Sequence, residues 1–318
     1  MSVPKPVISV VIATRNRKGS IIWTIDSILN NALSGEAAQG PIPSFEILVV
    51  DQSTNNACQQ AMETYAGDTR IRYQHTETVG MARARNLAIA QAQGELIAIT
   101  DDDCVVADNW LWEIYNVFLS YPKVALLFGN VLPGDHDASA GFIPSYCRQH
   151  AKIVSSALDK NDVDGLGACM AMRKSLWQAF HGFDEMLGTG GLLKSSSEGD
   201  LVIHALHKGH QVCEMPSVVV VHHGFRTWEA GAGLIGRYWY GTGAMYGKHL
   251  KLYPVSTLLT LVLLAGRFAF GTSRVASSLG RNTHKRDRLR AFLSGFGKGL
   301  WLKINRQTGH FKPTGSIK

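Results

Sequence analysis

The chain is predicted to fold as an α/β protein: a mostly parallel sheet with helices on both faces, followed by a helical, basic appendage. Three observations predict it. Over roughly the first 130 residues, short runs of β-branched and apolar residues alternate with longer helix-like runs, as expected for parallel strands joined by crossover helices. Successive strand-like runs give way to polar or acidic residues at Thr14, Asp51 and Asp101, which places those side chains at the carboxyl edge where open α/β sheets bind ligands. The final third changes character, becoming aromatic, Gly-punctuated and then strongly basic.

Taken in order, Val7 to Ala13 reads as a strand, Ile21 to Asn31 as a helix and Leu33 to Pro43, with its Gly, Ser and Pro, as a surface insertion. Strands follow at Glu46 to Val50, Ile71 to Tyr73, Leu96 to Thr100 and Val124 to Gly129, separated by helices at Ala57 to Tyr65, Met81 to Gln93 and Trp110 to Tyr121. Leu96 to Thr100 is almost wholly apolar, the mark of a strand buried on both faces. Gly134 to Asp164 is irregular and polar, and Gly165 to Arg173 is a loop entering another strand. Gly188 to Ser197 is Gly/Ser-rich, a poor core former expected to act as a mobile lid. Leu201 to Leu206 is helical, and Val218 to Val221 is a strand closing on His222-His223. These elements divide the chain into residues 1–225, with halves meeting near 130, and a helical region 226–318.

With 318 residues the chain is long enough for one large α/β domain and an appendage. Its net charge of +7 is unevenly spread: Ser273 to Lys318 carries eleven Lys/Arg against the single acid Asp287. The basicity belongs to that tail and points to an anionic surface as its partner. Five cysteines in no metal-binding or disulfide pattern fit a reducing compartment. The N-terminus lacks the plan of a signal peptide, so a cytoplasmic protein is expected. Val255 to Gly266 is apolar or small throughout, but twelve helical residues reach only about 18 Å against about 30 Å of bilayer hydrocarbon. That favours an interfacial helix over a spanning one, followed by the basic cluster Arg281 to Arg290 at the inner face of the membrane; a core helix with a solvated basic face is the alternative.

The densest chemistry is Asp101-Asp102-Asp103, directly after the fourth strand. Three adjacent carboxylates repel one another unless a cation is bound, and an all-oxygen set suits Mg²⁺ or Mn²⁺ together with substrate phosphates. A solvated acidic turn ahead of the helix at Trp110 is the competing explanation.

Six segments in order resemble one known family. Ile8-Ser-Val-Val-Ile-Ala-Thr-Arg-Asn-Arg17, Glu46-Ile-Leu-Val-Val-Asp-Gln-Ser53, Ala84-Arg-Asn86 and Gly94-Glu-Leu-Ile-Ala-Ile-Thr-Asp-Asp-Asp103 are similar to the signatures of family 2 glycosyltransferases. Gly182-Phe-Asp-Glu-Met-Leu-Gly188 and Ser197-Glu-Gly-Asp-Leu201 resemble that family's acceptor-side motifs. The resemblance implies a GT-A fold and an inverting transfer from a nucleotide-diphosphate sugar to a hydroxyl acceptor, in cell-surface glycan assembly. It implies donor-binding roles for Thr14, Arg17, Asp51, Arg85, Asp101 and Asp102, with Asp51 accepting a base ring N–H and Arg85 near the pyrophosphate; as alternatives, Asp51 caps a helix and Arg85 forms a surface ion pair. Asp103 is implied as the metal ligand, with His222 completing the shell and His223 the alternative. Alignment on Asp200-Leu201 puts Glu198 at the base position, favoured over Asp200, which otherwise caps its helix. Two departures stand out: Gln52 where a second acid is common, and Ser197 where a Glu often precedes the base.

Other classes are excluded by what is missing. No GxGxxG follows the first strand and no GxxxxGK[ST] occurs, which removes nicotinamide-binding dehydrogenases and P-loop nucleoside triphosphatases. The processive motif QxxRW is absent, favouring transfer of single residues. The expected partners are the sugar-nucleotide donor, a glycan or lipid-linked glycan acceptor and an anionic membrane surface, with no nucleic acid. A non-catalytic protein that only binds a sugar nucleotide or a partner is the alternative function.

Overall fold

The computed structural model describes residues 5–17, 19–31, 42–270 and 285–313. Most of the expected insertion at 33–43, and Arg281 of the basic cluster, lie outside the described residues.

The first half alternates as expected: β1 (Ile8–Thr14), α1 (Ser20–Asn31), β2 (Phe45–Asp51), α2 (Ala57–Met62), β3 (Ile71–His75), α3 (Met81–Gln91), β4 (Leu96–Asp101), β5 (Cys104–Val106), α4 (Trp110–Ser120) and β6 (Val124–Pro133). The second half adds β7 (Gly141–Phe142), β8 (Lys152–Val154), β9 (Cys169–Arg173), α5 (Lys174–Ala179), α6 (Ser197–His207), β10 (Gln211–His222) and β11 (Arg226–Thr227). Three helices close the described chain: α7 (Trp228–Leu252), α8 (Pro254–Phe270) and α9 (Lys285–Trp301).

Nine strands make one sheet, ordered β3-β2-β1-β4-β9-β6-β10-β5, with β8 also paired to β10. The four strands β3, β2, β1 and β4 are parallel, as is the β6–β10 pair. The alternation of apolar side chains sorts this sheet into two cores. Ile8, Val10 and Ile12 face α1, α2 and α4, whereas Val11, Ile97 and Ile99 face α3, α5 and α6. Each fully buried side chain of this size contributes about 1.5–3 kcal/mol, so both helical layers are held chiefly by these strands.

Two features depart from the simple alternation. β9 runs antiparallel between β4 and β6, a pairing across some seventy residues that local periodicity does not reveal. β10 begins at Gln211, well before the strand expected at Val218, because its register against β6 slips between Met215 and Val219. Pro216 sits in that slip, where its missing N–H leaves no ladder position unfilled.

The appendage packs closely. An added Cβ at Gly243 would stand 2.0 Å from Phe292 O, and one at Gly295 would stand 1.9 Å from Tyr240 O. The α7 and α9 backbones therefore touch through glycines, and no larger residue fits. A buried ion-pair network ties α7 to the sheet domain: Lys248 Nζ lies 2.8 Å from both Asp184 Oδ2 and Asp200 Oδ2, and His249 Nε2 lies 2.7 Å from Asp200 Oδ1. Phe311 N–H also donates to Asp184 Oδ2 at 2.9 Å.

Candidate active site

Strand register builds the site. Thr14 pairs with Asp51 and Ala13 with Asp101 across β1, β2 and β4, so the polar strand ends fall on one edge. β5 begins one residue after Asp103, and its antiparallel pairing sets Cys104 opposite His222. That pairing brings Asp103 and His222 together, with His222 Nε2 3.2 Å from Asp103 Oδ1. Pro144 O fixes the other ring nitrogen, Nδ1, at 2.9 Å. His223 is exposed and gives its backbone N–H to Asp103 O, so His222 is the histidine on the acid cluster.

A cavity of about 630 Å³ opens over this edge, within the usual size of a small-molecule site. Thr14, Arg17, Arg85, Asp101, Asp102, Asp103, Glu198 and His222 all line it. Thr14 Oγ1 donates to Asp102 Oδ2 at 2.5 Å, and Arg17 Nη2 lies 3.0 Å from Asp103 Oδ2. Arg85 is buried, holding Glu198 Oε1 through Nη1 at 2.6 Å and Asp101 Oδ1 through Nη2 at 3.4 Å. One guanidinium thus joins the acid cluster to Glu198 in the first turn of α6.

Electrostatics separate the carboxyls. Burial pushes Asp101 up, with the charges of Arg85 and His222 opposing. Burial also raises Asp102, to about 6, against its Thr14 hydrogen bond. Asp103 feels the same burial, but the His222 hydrogen bond and charge, with Arg17, outweigh it and hold it below the ordinary value. At Glu198, burial is likewise outweighed, here by Arg85, so the carboxylate stays ionised. His222 is raised: burial lowers it, and Asp103 more than compensates.

The donor set suits a divalent ion. Asp103, Cys104 and His222 converge within 4.8 Å, but burial raises the Cys104 thiol well above its usual value, leaving oxygen and imidazole donors. A Cβ on Gly224 would stand 2.5 Å from His222 Nε2 and 2.8 Å from Asp103 Oδ2, so the glycine keeps the space beside both ligand atoms open.

Two sequence expectations meet a different arrangement. Asp51 does not reach the cavity wall: it is fully buried, with Oδ1 accepting from Ser53 N–H and Oδ2 from Tyr73 O–H, both at 2.8 Å. Gln52 lines the cavity in its place, locked to Gly80 by two hydrogen bonds. Asp200 is likewise absent from the wall, turned toward Lys248 and His249; against its burial, the Lys248 charge and the His249 hydrogen bond hold it far below the carboxylate range. The Gly/Ser loop 188–197 lines the cavity, but it is pinned by buried Leu193 and by backbone bonds such as Gly188 N to Ser195 O at 3.0 Å.

Sequence reasoning missed the outer wall. Ile235, Tyr238, Trp239, Thr242, Met245 and Tyr246 of α7 all face the cavity. Their three- and four-residue spacing is one helical stripe, visible in the sequence but read there only as an aromatic, Gly-punctuated segment.

A mostly parallel α/β sheet carrying an acid triplet, a histidine and a second carboxylate around one cavity has the architecture of the GT-A fold. Residues 9–180 match the glycosyl transferase family 2 profile, and the chain belongs to that family. Residues of this chain are 32% identical over 149 positions to the putative colanic acid biosynthesis glycosyl transferase WcaA of Escherichia coli, covering 44% of this chain and 49% of that protein. The chain spans 24%, 14% and 14% of the length of three other curated relatives it matches. Among solved structures, S. aureus TarS 1–349 is similar with a TM-score of 0.62 and 16% identity, covering 92% of this chain and 81% of that one. The mannosyltransferase PcManGT of Pyrobaculum calidifontis, in complex with GDP-Man and Mn²⁺, is similar with a TM-score of 0.57 and 18% identity, covering 94% and 88%.

Proposed function

We propose that this glycosyltransferase performs an inverting transfer from a nucleotide-diphosphate sugar to a hydroxyl of a glycan or lipid-linked glycan, in the assembly of a cell-surface polysaccharide. The observation that carries the proposal is the Arg85 bridge, which sets the acid cluster and Glu198 on one cavity. GDP-Man in the PcManGT structure, and the part in colanic acid biosynthesis given to WcaA, support donor class and setting.

In this reading Thr14, Arg17, Arg85, Asp101 and Asp102 form the donor side, and Gln52 replaces Asp51 at the wall. Asp103 and His222 would hold Mg²⁺ or Mn²⁺, which would supply charge neutralisation for a departing nucleoside diphosphate. Glu198, kept ionised by Arg85, takes the proton from the acceptor hydroxyl as that oxygen attacks the anomeric carbon. Arg85 has two effects: it holds the base charged and oriented, and it keeps Asp101 in register with it. The cavity wall from α7 is the acceptor side. The basic charge of α9 supports attachment at the inner face of a membrane; among the described residues no helix is long and apolar enough to cross one.

The test is turnover of a panel of sugar nucleotides by purified protein. Glu198→Gln is expected to lower turnover about 10²–10⁴-fold while leaving donor affinity intact, because the group acts on the acceptor. Asp103→Ala is expected to abolish both turnover and divalent-ion-dependent donor binding. A wild-type chain that binds a sugar nucleotide and never turns it over would make it a binding protein.

A further inference from the structure

The polarity of α8 is inverted. Val255, Leu258, Leu259, Val262 and Leu263 are between 47% and 73% exposed, whereas Thr257 and Thr260 are buried. At 3.6 residues per turn the five apolar side chains fall within about 140° of arc, so they form one continuous outward stripe. The opposite side is satisfied: Leu261 and Leu264 pack on Met245 and Tyr246, and Asn161 Nδ2 donates to Thr260 O at 3.1 Å. The stripe therefore does not reflect a helix docked the wrong way round; it faces out of a well-packed interface.

α8 and α9 both pack on α7, where Trp239 stands edge-on to Phe268 and Phe292. α9 adds exposed Leu289, Leu293 and Trp301. It also brings Lys285, Arg286, Arg288 and Arg290 around the lone Asp287. An exposed apolar stripe such as that of α8 marks an interaction site, and the surrounding chemistry selects the partner. Two copies joined through this face would bring two basic clusters together. An anionic bilayer instead neutralises the cations and accepts the leucines, the arrangement of helices that lie in the membrane interface.

We infer that the outward stripe of α8 inserts into the surface of an anionic phospholipid bilayer, with α9 as its basic flank. The inference deepens the membrane part of the proposed function by naming the inserting face. It also gives the cavity an orientation. Leu264 of α8 and Arg288 of α9 both line it, so seating α8 in the interface brings the acceptor wall to the lipid headgroups.

The full chain is tested by flotation with vesicles of phosphatidylcholine alone and of phosphatidylcholine mixed with phosphatidylglycerol. Wild type is expected to float with the anionic vesicles and to be released by salt. Leu258→Gln combined with Val262→Gln is expected to lower partitioning at least tenfold at every salt concentration, with thermal midpoint and nucleoside diphosphate binding unchanged. Arg286→Gln combined with Arg290→Gln is expected to flatten the salt dependence. Val262→Trp, which adds an interfacial aromatic, is expected to strengthen binding and serves should the glutamine variant fold poorly. The inference fails if wild type does not float at low salt, or if the glutamine variant floats equally well. It also fails if sedimentation shows a vesicle-free dimer that this variant dissociates, which would assign the face to a second copy. None of these outcomes bears on donor turnover, so the catalytic proposal stands or falls separately.

Discussion

Glu198 and Asp200 are two positions apart in the first turn of α6 and face different surroundings. Glu198 meets Arg85 and the cavity; Asp200 meets Lys248 and His249 in the interior. Their substitutions therefore separate by kind of effect. Asp200→Asn leaves the buried Lys248 charge with Asp184 alone, and breaking such a pair costs about 3–5 kcal/mol. Denaturant unfolding is expected to show that loss, with kcat per folded molecule nearly unchanged, whereas Glu198→Gln, which weakens one contact of the buried Arg85, is expected to cut kcat per folded molecule by about 10²–10⁴-fold. The ordered motifs favoured Glu198 over Asp200 through alignment on Asp200-Leu201, and of the two only Glu198 lines the cavity. The burial of Asp51 was not legible, because its partner Tyr73 comes from β3 and nothing local announces that bond.

Among the elements, those of the first half were legible because strand and helix periods alternate cleanly from β1 to β6. β9 and the early start of β10 were not, because one depends on pairing distant in sequence and the other on a bulge at Pro216. The glycines of α7 showed in the sequence only as punctuation of an aromatic segment, yet with those of α9 they are where two backbones meet. Gly295→Val is expected to force the helices apart, costing at least the ~1–3 kcal/mol typical of overpacking. A lowered Tm is the check, and because Tyr238 and Trp239 ride on α7, acceptor-side KM should rise with it.

At the scale of the whole molecule, the interface between sheet domain and appendage is rich in neutral histidines. Burial holds His204 down to about 2 and lowers His249 as well, where Lys248 adds to burial against Asp200. Their folded-state values lie below the unfolded value of about 6.5, so the unfolded chain binds more protons across that gap. Stability is thus full above about pH 6.5 and falls as pH drops below it, by up to about 1.4 kcal/mol per pH unit for each such group. Thermal melts between pH 7.5 and 5 are expected to show this slope. His204→Phe should flatten it, since His204 Nε2 has no hydrogen-bond partner to lose.

The clamp on Lys248 also sets a schedule for the nascent chain. A ribosome delivers the sheet first, at about 5–20 residues per second, and with it Asp184 and Asp200, two carboxylates that end up buried. Until Lys248 emerges neither has its counter-charge, and Phe311 N–H completes the shell of Asp184 only near the end of the described chain. The sheet edge with Asp101, Asp102 and Asp103 is in place early, while the cavity wall on α7 comes last and on the same helix as the stabilising cation. A polypeptide stalled before α7 therefore carries the acid cluster with its cavity open on that side, and holds Asp184 and Asp200 without the cation that compensates them.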